Sequence, residues 1–97
     1  MIGQLTTGQG AITPISWPMG KCNAIGFFAD TGLSGSDPVE LRVAYQHAPG
    51  QFTVQQVSVD SSKGKTVVYF GSEASKVDAV SVQRQDAGTV TVCWDAS

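Results

Sequence analysis

The chain has little charge, little cysteine or histidine, and no helical periodicity. Asp, Glu, Lys and Arg make up 14% of its 97 residues, against about 25% in an average soluble domain. Its polar surface must therefore come from Ser, Thr, Gln and Gly. The cations Lys21, Arg42, Lys63, Lys65, Lys76 and Arg84 are scattered, and the net charge is −2. That leaves no basic stripe of the kind nucleic acid requires. No apolar run approaches the roughly 18–20 residues that cross a bilayer as a helix. The opening residues, MIGQLTTGQG, lack a basic region followed by an apolar core, so no signal peptide is visible. Neither nucleic acid nor a membrane is an expected partner.

The scarcity of ligating and nucleophilic groups excludes more. Cys22, Cys93 and His47 cannot complete the usual four-ligand structural zinc site, and no cofactor or metal is expected. Spacing does not say whether the cysteines pair. The expectation is that both are reduced or are small core residues; the alternative is a disulfide joining an early and a late strand. A Ser-His-Asp or Cys-His site would have to use His47. That residue flanks a turn, and no Gly-x-Ser-x-Gly signature occurs. The glycines at positions 3, 8 and 10 are not followed by the Lys-Ser/Thr of a phosphate loop. No catalytic residues are assigned, and the chain is expected not to be an enzyme.

What the chain does contain is alternation. Val39, Leu41, Val43 and Tyr45 interleave with Glu40, Arg42, Ala44 and Gln46, a period of two that puts the apolar set on one sheet face. Ala48-Pro49-Gly50-Gln51 then suits a type II turn, with proline setting φ at the second position and glycine supplying the positive φ at the third. The segment from Val39 to Val59 is read as a β-hairpin. Phe52 and Val54 sit on opposite parity from Val57 and Val59, and a bulge near Gln55-Gln56 is expected to restore one apolar face.

The other segments carry the same pattern. Lys21–Ala29 is a probable strand with large residues on both faces, and Gly26 inside it marks a bulge or close approach. Lys65–Phe70 reads as a short buried strand. Val77–Arg84 carries Val80 and Val82 on one face, and Thr89–Asp95 carries Val90, Val92 and Trp94. Gly71–Lys76 is a loop or single helical turn. Asp30–Pro38, Asp60–Gly64 and Gln85–Gly88 are turns.

Roughly seven to eight short strands, about ten residues apart, predict an all-β fold: one small antiparallel β-sandwich or barrel. Residues 1–20, Gly- and Thr-rich with Pro14 and Pro18, are read as an extended N-terminal arm or edge strand, and residues 21–97 as the β-sandwich domain. The arm could add to a neighbour's sheet edge. Ile12, Ile15 and Trp17 are its protein-contact candidates, Trp17 because tryptophan is enriched at binding hot spots.

Three weaker constellations were weighed. Asp30, Asp37, Asp60 and Asp86 lie in or beside turns and could bind calcium, but lack the dense acidic spacing of a dedicated loop. Trp17, Trp94, Tyr45 and Tyr69 could form a sugar-stacking platform, but Trp94 and Tyr45 alternate with aliphatics on apparent core faces. Asp30-Thr31-Gly32, after the apolar Phe27-Phe28-Ala29, resembles a retroviral-type aspartic protease subunit, in which two aspartates share a proton across a dimer axis. The likeness ends at this tripeptide: Leu33 follows it, and Tyr69-Phe70-Gly71-Ser72 is too early and too aromatic for the family's late motif.

The Met-start polar arm, the Gly/Ser/Thr/Val-rich sandwich and the closing strand Asp86–Trp94 together resemble small bacteriophage head decoration or cement proteins. The resemblance is one of composition and layout across the whole chain. It implies a non-enzymatic virion protein at the capsid surface, partnered by the major capsid protein or another virion protein. It also implies a homo-oligomer, with a trimer favoured. A second expectation is a secreted, extracellular carbohydrate- or protein-binding β-sandwich, monomeric with a Cys22–Cys93 disulfide. The aspartic protease is third.

Overall fold

The computed structural model describes residues 2–17, 21–29, 39–60, 64–85 and 89–97. Over these residues the alternation resolves into eight strands: β1 (Ile2–Gly8), β2 (Ile12–Ile15), β3 (Ala24–Ala29), β4 (Val39–Ala48), β5 (Gln51–Val59), β6 (Thr66–Tyr69), β7 (Ala79–Arg84) and β8 (Thr89–Ala96). A short 3-10 helix at Gly71–Lys76 separates β6 from β7. The strands form two antiparallel sheets, ordered β1-β8-β3-β6 and β2-β7-β4-β5. They pack as an open sandwich with four edges, not a closed barrel.

The core follows from parity. Along β4 the side chains of Val39, Leu41, Val43 and Tyr45 are buried while Glu40 and Arg42 are exposed. On β8 the inward set is Val90, Val92, Trp94 and Ala96. Ile25, Phe27, Leu41, Val43, Val82 and Val92 are wholly buried between the sheets, each contributing about 1.5–3 kcal/mol of apolar burial. The hairpin turn forms at Pro49-Gly50, with Gly50 at φ +75° as a type II turn requires.

Residues 2–17 belong to both sheets as edge strands. β1 pairs with β8 from Ile2↔Asp95 to Gly8↔Thr89, and β2 pairs with β7 from Ile12↔Gln83 to Ile15↔Val80. Between them the chain turns a corner from one sheet to the other. There Gly10 N–H donates to the Arg84 carbonyl at 3.0 Å, and Ala11 N–H to the Gly8 carbonyl at 3.0 Å. The buried Thr7 hydroxyl donates to the Ala11 carbonyl at 3.0 Å, so the one buried polar side chain in the core among the described residues is satisfied.

Two local expectations are corrected. No bulge forms at Gln55-Gln56: the β4–β5 register runs unbroken from Val39↔Val59 to Gln46↔Phe52, and the irregularity falls at Gln46/Ala48 beside the turn. Phe52 and Val54 therefore face outward. The Lys65–Phe70 run is not a buried strand. β6 is an edge strand with Val68 inside and Val67 and Tyr69 exposed. Gly26 does mark a close approach. A Cβ there would collide with the Lys65 side chain, which lies across β3 so that its Nζ reaches Asp95 Oδ2 at 2.8 Å on β8.

Candidate functional site

The three contact candidates in the first twenty residues have different fates. Ile12 is 67% exposed on the outer face of β2. Ile15, three residues on, has the opposite parity and fills the core. Trp17 is half-buried against Phe70, edge to face with ring centroids 5.1 Å apart. Its indole N–H is buried without a hydrogen-bond partner among the described residues. Only Ile12 of the three presents an open apolar surface.

The weaker constellations do not assemble. Asp30-Thr31-Gly32, Asp37 and Asp86 lie outside the described residues, and Asp60 is half-buried. Among the described residues no three His, Cys, Asp or Glu side chains gather as metal ligands. Of the four aromatics considered for sugar stacking, Tyr45 and Trp94 are core residues, Trp17 packs on Phe70, and Tyr69 alone points outward at 70% exposure. The His47 ring shares a 3.2 Å hydrogen bond with the Thr53 hydroxyl across the hairpin. Cys22 and Cys93 are not bonded to each other. Cys22 packs against the core, whereas Cys93 lies on the outer face of β8 within 3.7 Å of the Gln4 amide.

What the fold leaves outside the core is a small set of large apolar side chains. Five large apolar side chains are exposed among the described residues: Ile12, Phe52, Val54, Val67 and Tyr69. Four of them lie on β5 and β6, the edge strands that close the two sheets on the same side of the sandwich: Phe52 and Val54 on the outer face of one sheet, Val67 and Tyr69 on the outer face of the other. Two hydrogen bonds tie these strands: the Gln55 amide donates to the Tyr69 carbonyl at 3.4 Å and the Thr66 hydroxyl to the Ser58 carbonyl at 3.2 Å. Neither β5, QFTVQQVSV, nor β6, TVVY, contains a charged residue.

The rest of the outer faces, including the other half of β5, is polar and mutually bonded. The Thr6 and Thr91 hydroxyls meet at 2.6 Å, Ser58 donates to Glu40 at 2.8 Å, and Gln56 donates to Gln85 at 3.1 Å. The charge pattern is local. The Lys65 ammonium, hydrogen-bonded to Asp95, holds that carboxyl below its ordinary value, with desolvation acting the other way. The signal for the β5 pair is in the sequence: the parity break between Phe52/Val54 and Val57/Val59 is what turns Phe52 and Val54 outward.

Compared with known proteins, the chain matches no protein-family model, no curated protein and no solved structure.

Proposed function

We propose that this chain is a non-enzymatic structural protein that works by contact with other protein, of the capsid decoration or cement kind its sequence resembles. The observation that carries this reading is the exposure of two apolar pairs on adjoining, uncharged edge strands: Phe52 and Val54 on the outer face of β5, and Val67 and Tyr69 on the outer face of β6. Large apolar side chains that adjoin on an exposed strand face mark interaction surfaces, and each edge strand carries one such pair. Aromatic residues such as Tyr69 are enriched where interfaces are strongest. With no charge on either strand, docking there would strand no unpaired ion.

On this reading the β5–β6 side binds neighbouring capsid subunits at the outer surface of a virion. Each contact is modest, and repetition over a symmetric shell raises the overall avidity by orders of magnitude. Co-sedimentation with purified capsid shells from the same source tests the proposal. The wild-type protein should pellet with the shells, and Tyr69→Asp should remain in the supernatant while keeping its thermal midpoint. A wild-type protein that stays in the supernatant at saturating shell concentration would remove the capsid reading.

A further inference from the structure

We infer that the N-terminal half of β5 is a homotypic edge: it pairs antiparallel with β5 of a second copy, about a two-fold axis at Thr53. This goes beyond the capsid reading and does not depend on it: the pairing takes the β5 pair, Phe52 and Val54, and leaves the β6 pair, Val67 and Tyr69, on the other sheet for a capsid partner.

The backbone of β5 is oriented for such pairing. On β4, the Glu40 carbonyl accepts from Gln85 N–H and the Gln46 carbonyl from Asp78 N–H, both at 3.0 Å. The even-numbered residues of β4 thus direct their backbone groups toward β7. In an antiparallel ladder these directions alternate, so Leu41, Val43 and Tyr45 bond to β5 through Val57, Gln55 and Thr53. The N–H and C=O groups of Phe52, Val54, Gln56 and Ser58 then point out of the sheet's open edge. The Ser58 carbonyl is taken there by the Thr66 hydroxyl of β6. The free stretch is the half nearer the turn, around Phe52 and Val54.

The other three edges lack this combination. β2 carries Pro14, β6 is four residues long, and β1 turns the polar Gln4 and Thr6 outward. Pro and brevity are the usual means of blunting an edge. β5 is nine residues long and carries no charge or proline, and its exposed side chains at 52 and 54 are apolar.

The spacing of those two side chains selects the occupant. In an antiparallel pair centred on Thr53, Phe52 faces Val54 of the second copy and Val54 faces its Phe52. Both lie on the same outer face, at positions where the open-edge backbone groups of each copy meet. Aromatic against β-branched is a favourable cross-strand pair. Gln51 opposes Gln55 of the second copy, neutral amide to neutral amide. A charged strand would meet its own charge across a two-fold axis, and this one has none to repel. A two-fold contact of this kind closes as a dimer, joining two four-stranded sheets into one of eight.

The test is solution mass by light scattering over a wide concentration range, with Val54→Lys as the variant. The wild type should approach twice the chain mass. Val54→Lys should be monomeric with an unchanged thermal midpoint, because the side chain is solvent-exposed and its N–H does not serve β4. Thr53→Cys in a Cys22→Ala, Cys93→Ser background should give a covalent dimer on mild oxidation, and Val54→Cys in the same background should not. A monomeric wild type, a trimer, or an oligomer untouched by Val54→Lys would each overturn the pairing.

Discussion

The two sides of the sandwich are built on different plans. On the β1–β2 side the chain itself crosses from one sheet to the other. The crossing is sealed by the Gly10, Ala11 and Thr7 hydrogen bonds and by the Gln83 amide donating to the Gly10 carbonyl at 3.1 Å. Its inward side chains, Leu5, Thr7 and Ile15, are buried. On the β5–β6 side the sheets meet through two side-chain hydrogen bonds; Val57, Val59 and Val68 are buried there, while Phe52, Val54, Val67 and Tyr69 point away from the core. Both sides use uncharged residues almost throughout, so composition does not separate them. Parity does: among the described side chains β1 and β2 turn one large apolar group outward, Ile12, whereas β5 and β6 turn out four.

The sharpest way to break this contrast is to delete residues 1–17. That removes an edge strand from each sheet together with Leu5, Thr7 and Ile15. The truncated chain should lose its cooperative thermal transition altogether. A truncated chain that still melts cooperatively near the wild-type midpoint would show that the β1–β2 side is an accessory rather than part of the core.

A matched pair of point substitutions gives a smaller, graded comparison. Thr7→Val keeps the shape of the side chain but leaves the Ala11 carbonyl without its donor, and should cost about 1–2 kcal/mol in denaturant unfolding. Phe52→Ser, on the open side, should leave the unfolding free energy of the monomer within about 0.5 kcal/mol of wild type. Equal costs at the two sites would erase the distinction.

The smallest effect concerns the strap across β3. The Asp95 carboxyl titrates below its ordinary value because of Lys65. A depressed folded-state pKa contributes stability above the ordinary carboxyl value of about 3.9, and that contribution is lost as pH falls through the lower folded value. Lys65→Met should move the Asp95 titration, followed by carboxyl NMR shifts, upward toward the ordinary value. Because the pair is solvent-exposed, the unfolding curve at neutral pH should barely change. An Asp95 titration unmoved by the substitution would mean that the strap does not hold the carboxyl in solution.

Much of this architecture was legible in the residues. The β4–β5 hairpin, its Pro49-Gly50 turn, the inward faces of β7 and β8, and the single turn at Gly71–Lys76 all follow from local spacing and turn chemistry. β1 did not stand out, because its inward positions are Gly3, Leu5 and Thr7. Small and polar residues suit that place only because Trp94 on β8 covers Gly3 and the Ala11 carbonyl receives Thr7. Such complementarity is long-range and leaves no local period. The bulge was misplaced for the opposite reason. The sequence pattern was read on the assumption that every large apolar group must be inside, and Phe52 and Val54 are outside. For the candidate contacts, Ile12 and Ile15 differ by three positions, so a strand must turn one in and the other out.

The strand order also bears on how quickly the molecule can assemble. Of the six pairings among the described residues, β4 with β5 is the single one that joins sequence neighbours, and β1 with β8 joins residues more than eighty apart. An isolated hairpin closes in about 1–10 μs, whereas folds dominated by distant pairings take milliseconds to seconds. The hairpin therefore forms and reopens many times, with its outer edge bare, while the rest of the chain searches. At high concentration that interval favours encounters between nascent hairpins, so the refolding yield should depend on dilution long before the native protein shows any tendency to aggregate.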